Sequence, residues 1–499
     1  MTTSTPRRVA IIGGGISGMA AALRLSELST PRQPIEIHLF ESGPQLGGLV
    51  GSQRIGDCLI ERGADSFITN KTGGVMLCRK LGLESQLMGA DDKNRKSLIL
   101  ARGVPIETPE GLNLIAPGSA WSILKSPILS WKGKLRCLLE PLVPRREDDG
   151  DESLASFTRR RLGREMLDRI VQPMVGGIYT ADPEKLSLMA TLPRFLEMER
   201  RHGSLFEAMQ SSSGLVGSAE REASGARYGL FATLKHGLSQ LIDTLESRVR
   251  KVAHVECRAK VLEIVRTPVS ATPSSSGVFP GEVAWVDASG DERRLAFSSV
   301  ILATPAHQMA AILHSAAPEA AAELQQIEYA SSAIVVTGHL KRNIEHPLNA
   351  FGLVVPAIEK RRILSVSFLS RKFPDRAPPD KVILRTFIGG AVQPEMFELP
   401  DSQMIDVTLS ELRSIFGVKA DPEFAVVARY HRSMPQYHVG HMDRVARIRK
   451  HLKASPWLSL AGNTLGGVGL PDAILSGENA AEQIAASLGI EFESANPVA

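Results

Sequence analysis

Six residues near the amino end, Gly13, Gly14, Gly15, Ile16, Ser17 and Gly18, read G-G-G-I-S-G, with the first, third and sixth spaced as G-x-G-x-x-G. Such a turn lets the backbone reverse tightly, approach a pyrophosphate with no side chain in the way, and pack a helix closely on a strand. Glu41, 23 positions beyond Gly18, offers a carboxylate that can accept hydrogen bonds from an unphosphorylated adenosine ribose. A second glycine pair, Gly47 and Gly48, follows that acid in "ESGPQLGGLVGSQ". Far along the chain, "GGVGLPDA" presents the amides of Val468, Gly469 and Leu470 at a helix start, with Pro471 suited to the first turn. Free amides and the helix dipole there would stabilise negative charge developing beside them. These groups point to dinucleotide binding, and their spacing alone leaves FAD and NAD open.

A further glycine pair lies in "VQPMVGGIYTADPEKLS", where Gly176 and Gly177 follow a long amphipathic run. Glycine inside a helix costs about 1 kcal/mol relative to alanine. Either something must approach this backbone closely, or the pair is simply a helix break.

The elements that position these groups are legible. "RRVAII" reads as a short buried strand, followed after the turn by a helix with Ile16, Met19, Ala20, Leu23 and Leu28 on one side. "IEIHLFE" is a second strand ending in Glu41. At the other end, a strand, a glycine-rich loop and a helix recur, with Ala473, Ile474, Ala480 and Ile484 on the buried face. Between them, "HGLSQLIDTLESRV" predicts an amphipathic helix, "HVECRAKVLEIVR" a strand, and "AFSSVILATPAHQMAAIL" a strand running into a helix. "TPVSATPSSSGVFPGE" predicts a surface loop.

With 499 residues the chain exceeds one core, and 43% hydrophobic with 22% charged residues is a globular profile. A formal charge of +4 without a long basic block argues against a nucleic-acid partner. Cys58, Cys78, Cys137 and Cys257 lack C-x-x-C spacing, so neither a disulfide framework nor a metal site is expected, and a reducing, cytoplasmic setting fits. Arg7 and Arg8 precede an apolar run, but four glycines interrupt it, which speaks against a secretory signal. No run reaches about 18 apolar residues, the length of a membrane span. "LNLIAPGSAWSILKSPILSWKGKLRCLLEPLVP" mixes Trp121, Ile123, Leu124, Ile128, Leu129 and Trp131 with lysines and prolines. It would line a channel, touch a membrane surface or pack internally; at most peripheral membrane contact is expected.

The glycine turn, Glu41, Gly47–Gly48 and "LIERGADSF" together resemble the flavoproteins that include amine oxidases, phytoene desaturases and protoporphyrinogen oxidases. The ordered set "GADSF", "GGIY", "LSLMATLP", "FPDRAP", "MPQYHVGH" and "GVGLPDA" covers nearly the whole chain and is similar to the protoporphyrinogen oxidase family, in its bacterial branch with coproporphyrinogen III oxidases. The resemblance implies FAD, held in addition by Gly63, Ala64, Asp65, Ser66, Val261 and Tyr430, with the amides at 468–470 against the flavin ring. No second strand-linked G-x-G-x-x-G serves a nicotinamide, so dioxygen is the simplest electron acceptor.

What the resemblance further implies is the six-electron oxidation of a porphyrinogen in three flavin cycles, yielding hydrogen peroxide. It places Phe387 against a pyrrole ring, Val354 on the opposite face, Ser367 in the adjoining wall, and the carbonyl of Gly177 towards the pyrrole N–H groups. Its propionate-binding arginine falls on Arg95 when the N-R dipeptide is matched, with Lys96 second, and near Ser97 when counted back from "GVPIETP". Coproporphyrinogen III is preferred over protoporphyrinogen IX on the "LRTFIGG" and "RKFPDRAP" wording. A flavin amine oxidase, a carotenoid desaturase and an inactive FAD-dependent scaffold are the alternatives. A homodimer and hand-over to the next enzyme of the haem pathway are compatible with this reading.

The expected fold is α/β: a discontinuous Rossmann-type FAD-binding domain from 1–91, 227–314 and 422–499. An α+β substrate domain from 92–226 and 315–421 would hold a mixed sheet and a helical subdomain, with 92–226 largely helical.

Overall fold

A computed structural model describes residues 7–212, 229–267 and 279–492. Most of the insert at 267–282 and the expected boundary at 226/227 lie outside the described residues.

Arg7–Ile12 is the middle strand of a five-stranded sheet, flanked by Ile35–Glu41 and Ser299–Leu302, with His254–Cys257 and Leu458–Leu460 at the edges. Every pairing is parallel. A parallel sheet is buried on both faces, which is why "VAII" and "SVIL" are continuous apolar runs rather than alternating ones. One face carries the helices Ile16–Leu28 and Leu470–Ser487, packed on each other. Gly477 permits that crossing, because a Cβ there would stand 2.1 Å from the Ser17 carbonyl oxygen. The other face is covered by Trp285 and Phe297 of a three-stranded antiparallel sheet and by the helix Ala306–Leu313.

"HVECRAKVLEIVR", expected as one strand, forms two, His254–Cys257 and Lys260–Arg266, which belong to different sheets. The chain breaks at Arg258, which has φ +58°, where the Arg258 amide donates to the Gly43 carbonyl at 2.8 Å and the Ala259 amide to that of Glu41 at 2.9 Å. Capture by the end of the neighbouring strand ends the ladder there.

The second sheet has seven strands in the order 424–435, 329–340, 381–389, 365–368, 352–354, 97–101 and 104–107. It is antiparallel except where Gly352–Val354 meets Ser97–Ala101. Phe424–Pro435, expected in the cofactor domain, is instead an edge strand here, held to Tyr329–Leu340 through alternate residues that pack with the sheet's core. The helix Asp401–Phe416 covers one face, and the other packs on Cys58 and Ile60. Residues 120–212 are largely helical around their own core, pinned by the fully buried Arg161, which bonds to Glu140 and Glu199.

In that helical part the tryptophan-rich segment divides. Ile123, Ile128 and Leu129 are buried, whereas Trp121 and Trp131 are 64% and 75% exposed, each under a lysine, Lys125 and Lys134. No helix among the described residues is long and apolar enough to cross a membrane.

Candidate active site

At the carboxyl ends of the parallel strands lies a cavity of about 920 Å³. Gly13, Gly15, Ile16, Ser17 and Glu41 line one side of it, Gly47 and Gly48 another, and Val468, Gly469 and Leu470 a third. The motif glycines divide the labour by contact. Gly13, at φ +109°, would drive a Cβ to 2.6 Å from the Ala303 carbonyl oxygen, and Gly18 would drive one to 1.9 Å from that of Gly13. Gly14 fits under Leu46 and Glu41. A Cβ on Gly15 meets nothing within 4 Å, so the space it leaves is open and faces the amides of the helix start, a cradle of phosphate size and polarity.

Glu41 is held in place by main chain: its Oε2 accepts from the Gly14 amide at 2.8 Å and its Oε1 from the Gly43 amide at 2.6 Å. A carboxylate has about four acceptor sites, so capacity for ribose hydroxyls is left. Val261 also lines the cavity. The amide of Gly469 is not free as expected, because Asp472 Oδ2 accepts from it at 3.3 Å as the helix caps itself. Thr304, His307, His431, Arg432 and Asn463 line the cavity too and were not anticipated. Thr304 and Asn463 follow strand ends, His307 is in the first turn of the helix Ala306–Leu313, and His431 and Arg432 lie within the strand Phe424–Pro435, Arg432 at φ +43°; no motif marks them.

Gly63, Ala64, Asp65, Ser66 and Tyr430 stand outside that cavity, at its junction with the seven-stranded sheet. Gly63 packs on the Leu49 carbonyl, near the Tyr430 hydroxyl; burial pushes that phenol's pKa up. Asp65 is the hub. Its Oδ1 accepts from Lys372 Nζ at 2.9 Å and Ser66 Oγ at 2.6 Å, and its Oδ2 from Arg385 at 2.9 Å and Ser367 Oγ at 3.5 Å. The two cations overcome burial and hold its carboxyl below the usual range. Arg385 also donates to the Gly63 carbonyl. Neither Lys372 nor Arg385 was expected as a site residue.

Register brings the expected substrate residues onto one face. Ser97, Gly352, Ser367 and Arg385 are cross-strand partners in one row, and Ile99, Val354, Ser365 and Phe387 in the row two residues along. Side chains two apart on a strand share a face. Phe387 is half-buried between the buried Thr386 and Ile388, and Val354 and Ser367 are half-buried likewise, so protein does not fully cover this face.

Gly177 lies beside Val354 at one end of this face. It sits in the helix Gln172–Tyr179, after a wide π-helical turn at Leu167–Val171. Its nearest neighbour to a built Cβ is Val354 Cγ1 at 3.6 Å, an ordinary contact, and its φ is not in the left-handed region. No protein atom therefore demands glycine at 177. The helix ends at Thr180, whose amide takes the Gly176 carbonyl at 2.9 Å, and Gln436 reaches the Tyr179 carbonyl at 3.4 Å. The described bonds give no partner to the Gly177 carbonyl, one of the last four that a helix leaves unpaired.

Arg95 is placed apart from these residues. It is exposed, at the end of the turn Asp92–Asn94, with no side-chain bond to the other candidates among the described residues. Lys96 pairs with Glu107 at 2.9 Å. Ser97, the other position that counting selects, stands in the row with Ser367.

The model of the flavin-containing amine oxidoreductases matches residues 16–485. The chain belongs to that family. It is 31% identical to the coproporphyrinogen III oxidase of Bacillus subtilis, over 95% of this chain and 97% of that protein. To the mitochondrial protoporphyrinogen oxidase of Nicotiana tabacum it is 27% identical, over 96% and 95%. A crystal structure from Exiguobacterium sp. 255-15, provisionally described as a protoporphyrinogen oxidase, superposes with a TM-score of 0.83 at 27% identity, covering 97% of this chain and all of that one. The α/β flavoprotein fold and FAD as cofactor follow from this membership, and the cradle at Gly15, the ribose acid Glu41 and the helix start at 468–470 fit that group.

Proposed function

We propose that the chain is an FAD-dependent porphyrinogen oxidase of haem biosynthesis, converting coproporphyrinogen III to coproporphyrin III, with protoporphyrinogen IX as the alternative substrate. The observation that carries this reading is that register gathers Val354, Ser367 and Phe387, each only partly buried, on one face of the seven-stranded sheet, with the Gly177 backbone beside Val354 and no protein contact that demands a glycine there. A partly exposed apolar face of that kind suits a broad, ring-shaped apolar substrate.

FAD, which Gly13–Gly18, Glu41 and the helix start at 468–470 would hold, would supply two-electron redox chemistry with dioxygen as acceptor, so that six electrons would need three cycles and give three molecules of hydrogen peroxide. The chain's own part is positioning. Phe387 and Val354 offer apolar contacts side by side on one face of the sheet, rather than on opposite faces of a pyrrole ring as expected, and holding a reacting carbon in place removes much of the entropic barrier. The unpaired Gly177 carbonyl, at the negative end of its helix, accepts from pyrrole N–H donors. Arg95 supplies an exposed cation two residues before Ser97, at the end of that strand, for a propionate. The exposed Trp121 and Trp131 face is where peripheral membrane contact would occur. The Bacillus subtilis relative, named for coproporphyrinogen III, supports the order of substrates.

Mixing the flavin-loaded protein anaerobically with coproporphyrinogen III should bleach the flavin, and admitting air should restore it with porphyrin fluorescence. Flavin left oxidised by both porphyrinogens would sink the reading.

A further inference from the structure

The Asp65 cluster carries more positive charge than it neutralises. One carboxylate faces both Lys372 and Arg385, each at 2.9 Å. The neighbouring pair, Glu61 with Arg376 at 3.4 Å, closes on itself. Glu61 adds no surplus anion, since burial pushes its carboxyl up to about 7. Lys372 and Arg385 are 9% and 2% exposed, and an uncompensated buried charge is costly unless an anion joins it.

The guanidinium also has donor capacity to spare. Arg385 bonds to Asp65 and to the Gly63 carbonyl, while its buried Nε has no partner. Its position ties it to the open face: it is the cross-strand partner of Ser367, and its guanidinium carbon lies 5.4 Å from the Phe387 ring centre. The buried cation thus lies directly beside the apolar wall. Ser66 and Ser367, which complete the cluster, are half-buried, and the Asp65 side chain is 12% exposed.

We propose that Lys372 and Arg385, oriented by Asp65, form an anion subsite that takes a substrate carboxylate and favours a porphyrinogen with four carboxylates over one with two. This rests on the porphyrinogen-oxidase reading above. Arg95 lies in a different element, the turn before Ser97–Ala101. One cationic site serves both substrates, whereas a second rewards only the substrate with further carboxylates to place. Asp65 is then a positioning residue, preventing the cations from repelling each other before substrate arrives.

The test compares wild type with Lys372→Met, Arg385→Met and Lys372→Arg. Methionine keeps an apolar stem where Lys372 packs over the Phe231 and Phe373 rings. Flavin content, flavin reduction potential, and kcat and KM for coproporphyrinogen III and protoporphyrinogen IX are measured. Both methionine variants should raise KM for the four-carboxylate substrate about tenfold or more, as loss of one partner of a buried charge pair does. KM for the two-carboxylate substrate should stay within about threefold, and Lys372→Arg should restore the preference.

An unchanged ratio of the two substrates would overturn the proposal. So would a joint loss on both with a shifted flavin potential, which would assign the charge to the cofactor. Should Arg385→Met not retain flavin, Lys372→Met decides alone. If wild type oxidises neither porphyrinogen, the enzymatic reading fails separately. Fluorescence titration with coproporphyrin III and protoporphyrin IX then still judges the subsite: equal affinities in wild type and Lys372→Met would refute it.

Discussion

The cradle at Gly13–Gly18 is made of main chain contributed by one short stretch, whereas the face around Val354, Ser367 and Phe387 is made of side chains from separate strands. In the cradle, specificity comes from where side chains are forbidden: Gly13 and Gly18 by contact with the protein, Gly15 by the space it leaves. On the substrate face it comes from register, since a one-residue slip would turn Val354, Ser367 and Phe387 away together. Gly177 belongs to the first kind of device set beside the second. The cofactor half should therefore fail abruptly on a single added carbon branch, and the substrate half should lose function in graded steps while keeping its flavin.

The largest effect is expected at the cradle. Gly15→Val should reduce bound flavin to background, read as visible absorbance per protein, because the branched side chain fills the phosphate space. Full flavin occupancy in that variant would erase the distinction between the two halves.

On the substrate face the losses should be smaller and separable from the cofactor. Phe387→Ala should lower kcat/KM by roughly 10- to 100-fold at unchanged flavin content, from lost apolar area and stacking. Gly177→Ala makes the contrast sharper, since a methyl there meets no obstacle from the protein. It should raise helix stability by about 0.5–1 kcal/mol and yet reduce turnover. A gain in melting temperature with full turnover would return Gly176 and Gly177 to the status of a helix break.

The smallest effect tests how each half tolerates acid. His441, stacked on Tyr437 and near the Leu465 carbonyl, and His339, in the seven-stranded sheet, are both 1% exposed. Burial lowers the pKa of each from 6.5 to about 4. A depressed folded pKa means stability present above 6.5 and lost as pH falls towards 4, by about 2 kcal/mol per histidine at pH 5. His441→Gln should reduce that acid loss near the cavity loop, and His339→Gln should reduce it in the sheet. Denaturation midpoints compared at pH 7 and pH 5 would show a histidine to be uninvolved if its variant kept the full wild-type loss.

Much of the cofactor half is legible in the amino-acid sequence. The strand, turn, helix and strand from Arg7 to Glu41 form as the pattern predicts, because a parallel strand is a continuous apolar run and the glycine turn has few conformations open to it. His431, Arg432 and Asn463 are not legible, since they reach the cavity from within one strand and from the loop after another, which share no local pattern. The strand at 424–435 is misplaced by sequence for a related reason: alternation announces a strand but not which sheet receives it.

The substrate half shows the limit more plainly. Val354, Ser367 and Phe387 are singled out by resemblance, and composition or periodicity alone leaves them as ordinary strand residues. Lys372 and Arg385 fall in the "RKFPDRAP" and "LRTFIGG" stretches that carry the resemblance, but nothing marks either as a site residue, for a charged residue in a short helix or a strand is usually solvated. Only folding removes them from water and sets both against Asp65, more than 300 positions away in sequence.

By itself, then, the sequence determined the local devices: the glycine turn, the acid that ends the second strand, the helix start at Val468–Leu470 and the costly pair at Gly176–Gly177. Tertiary structure alone decided what those devices face. Packing of the helix Gln172–Tyr179 set Gly177 beside Val354, and burial turned three scattered charges into a cluster with one positive charge to spare. The reason is physical: backbone conformation is set within a few residues, while burial and pairing depend on contacts between segments that only the packed fold brings together.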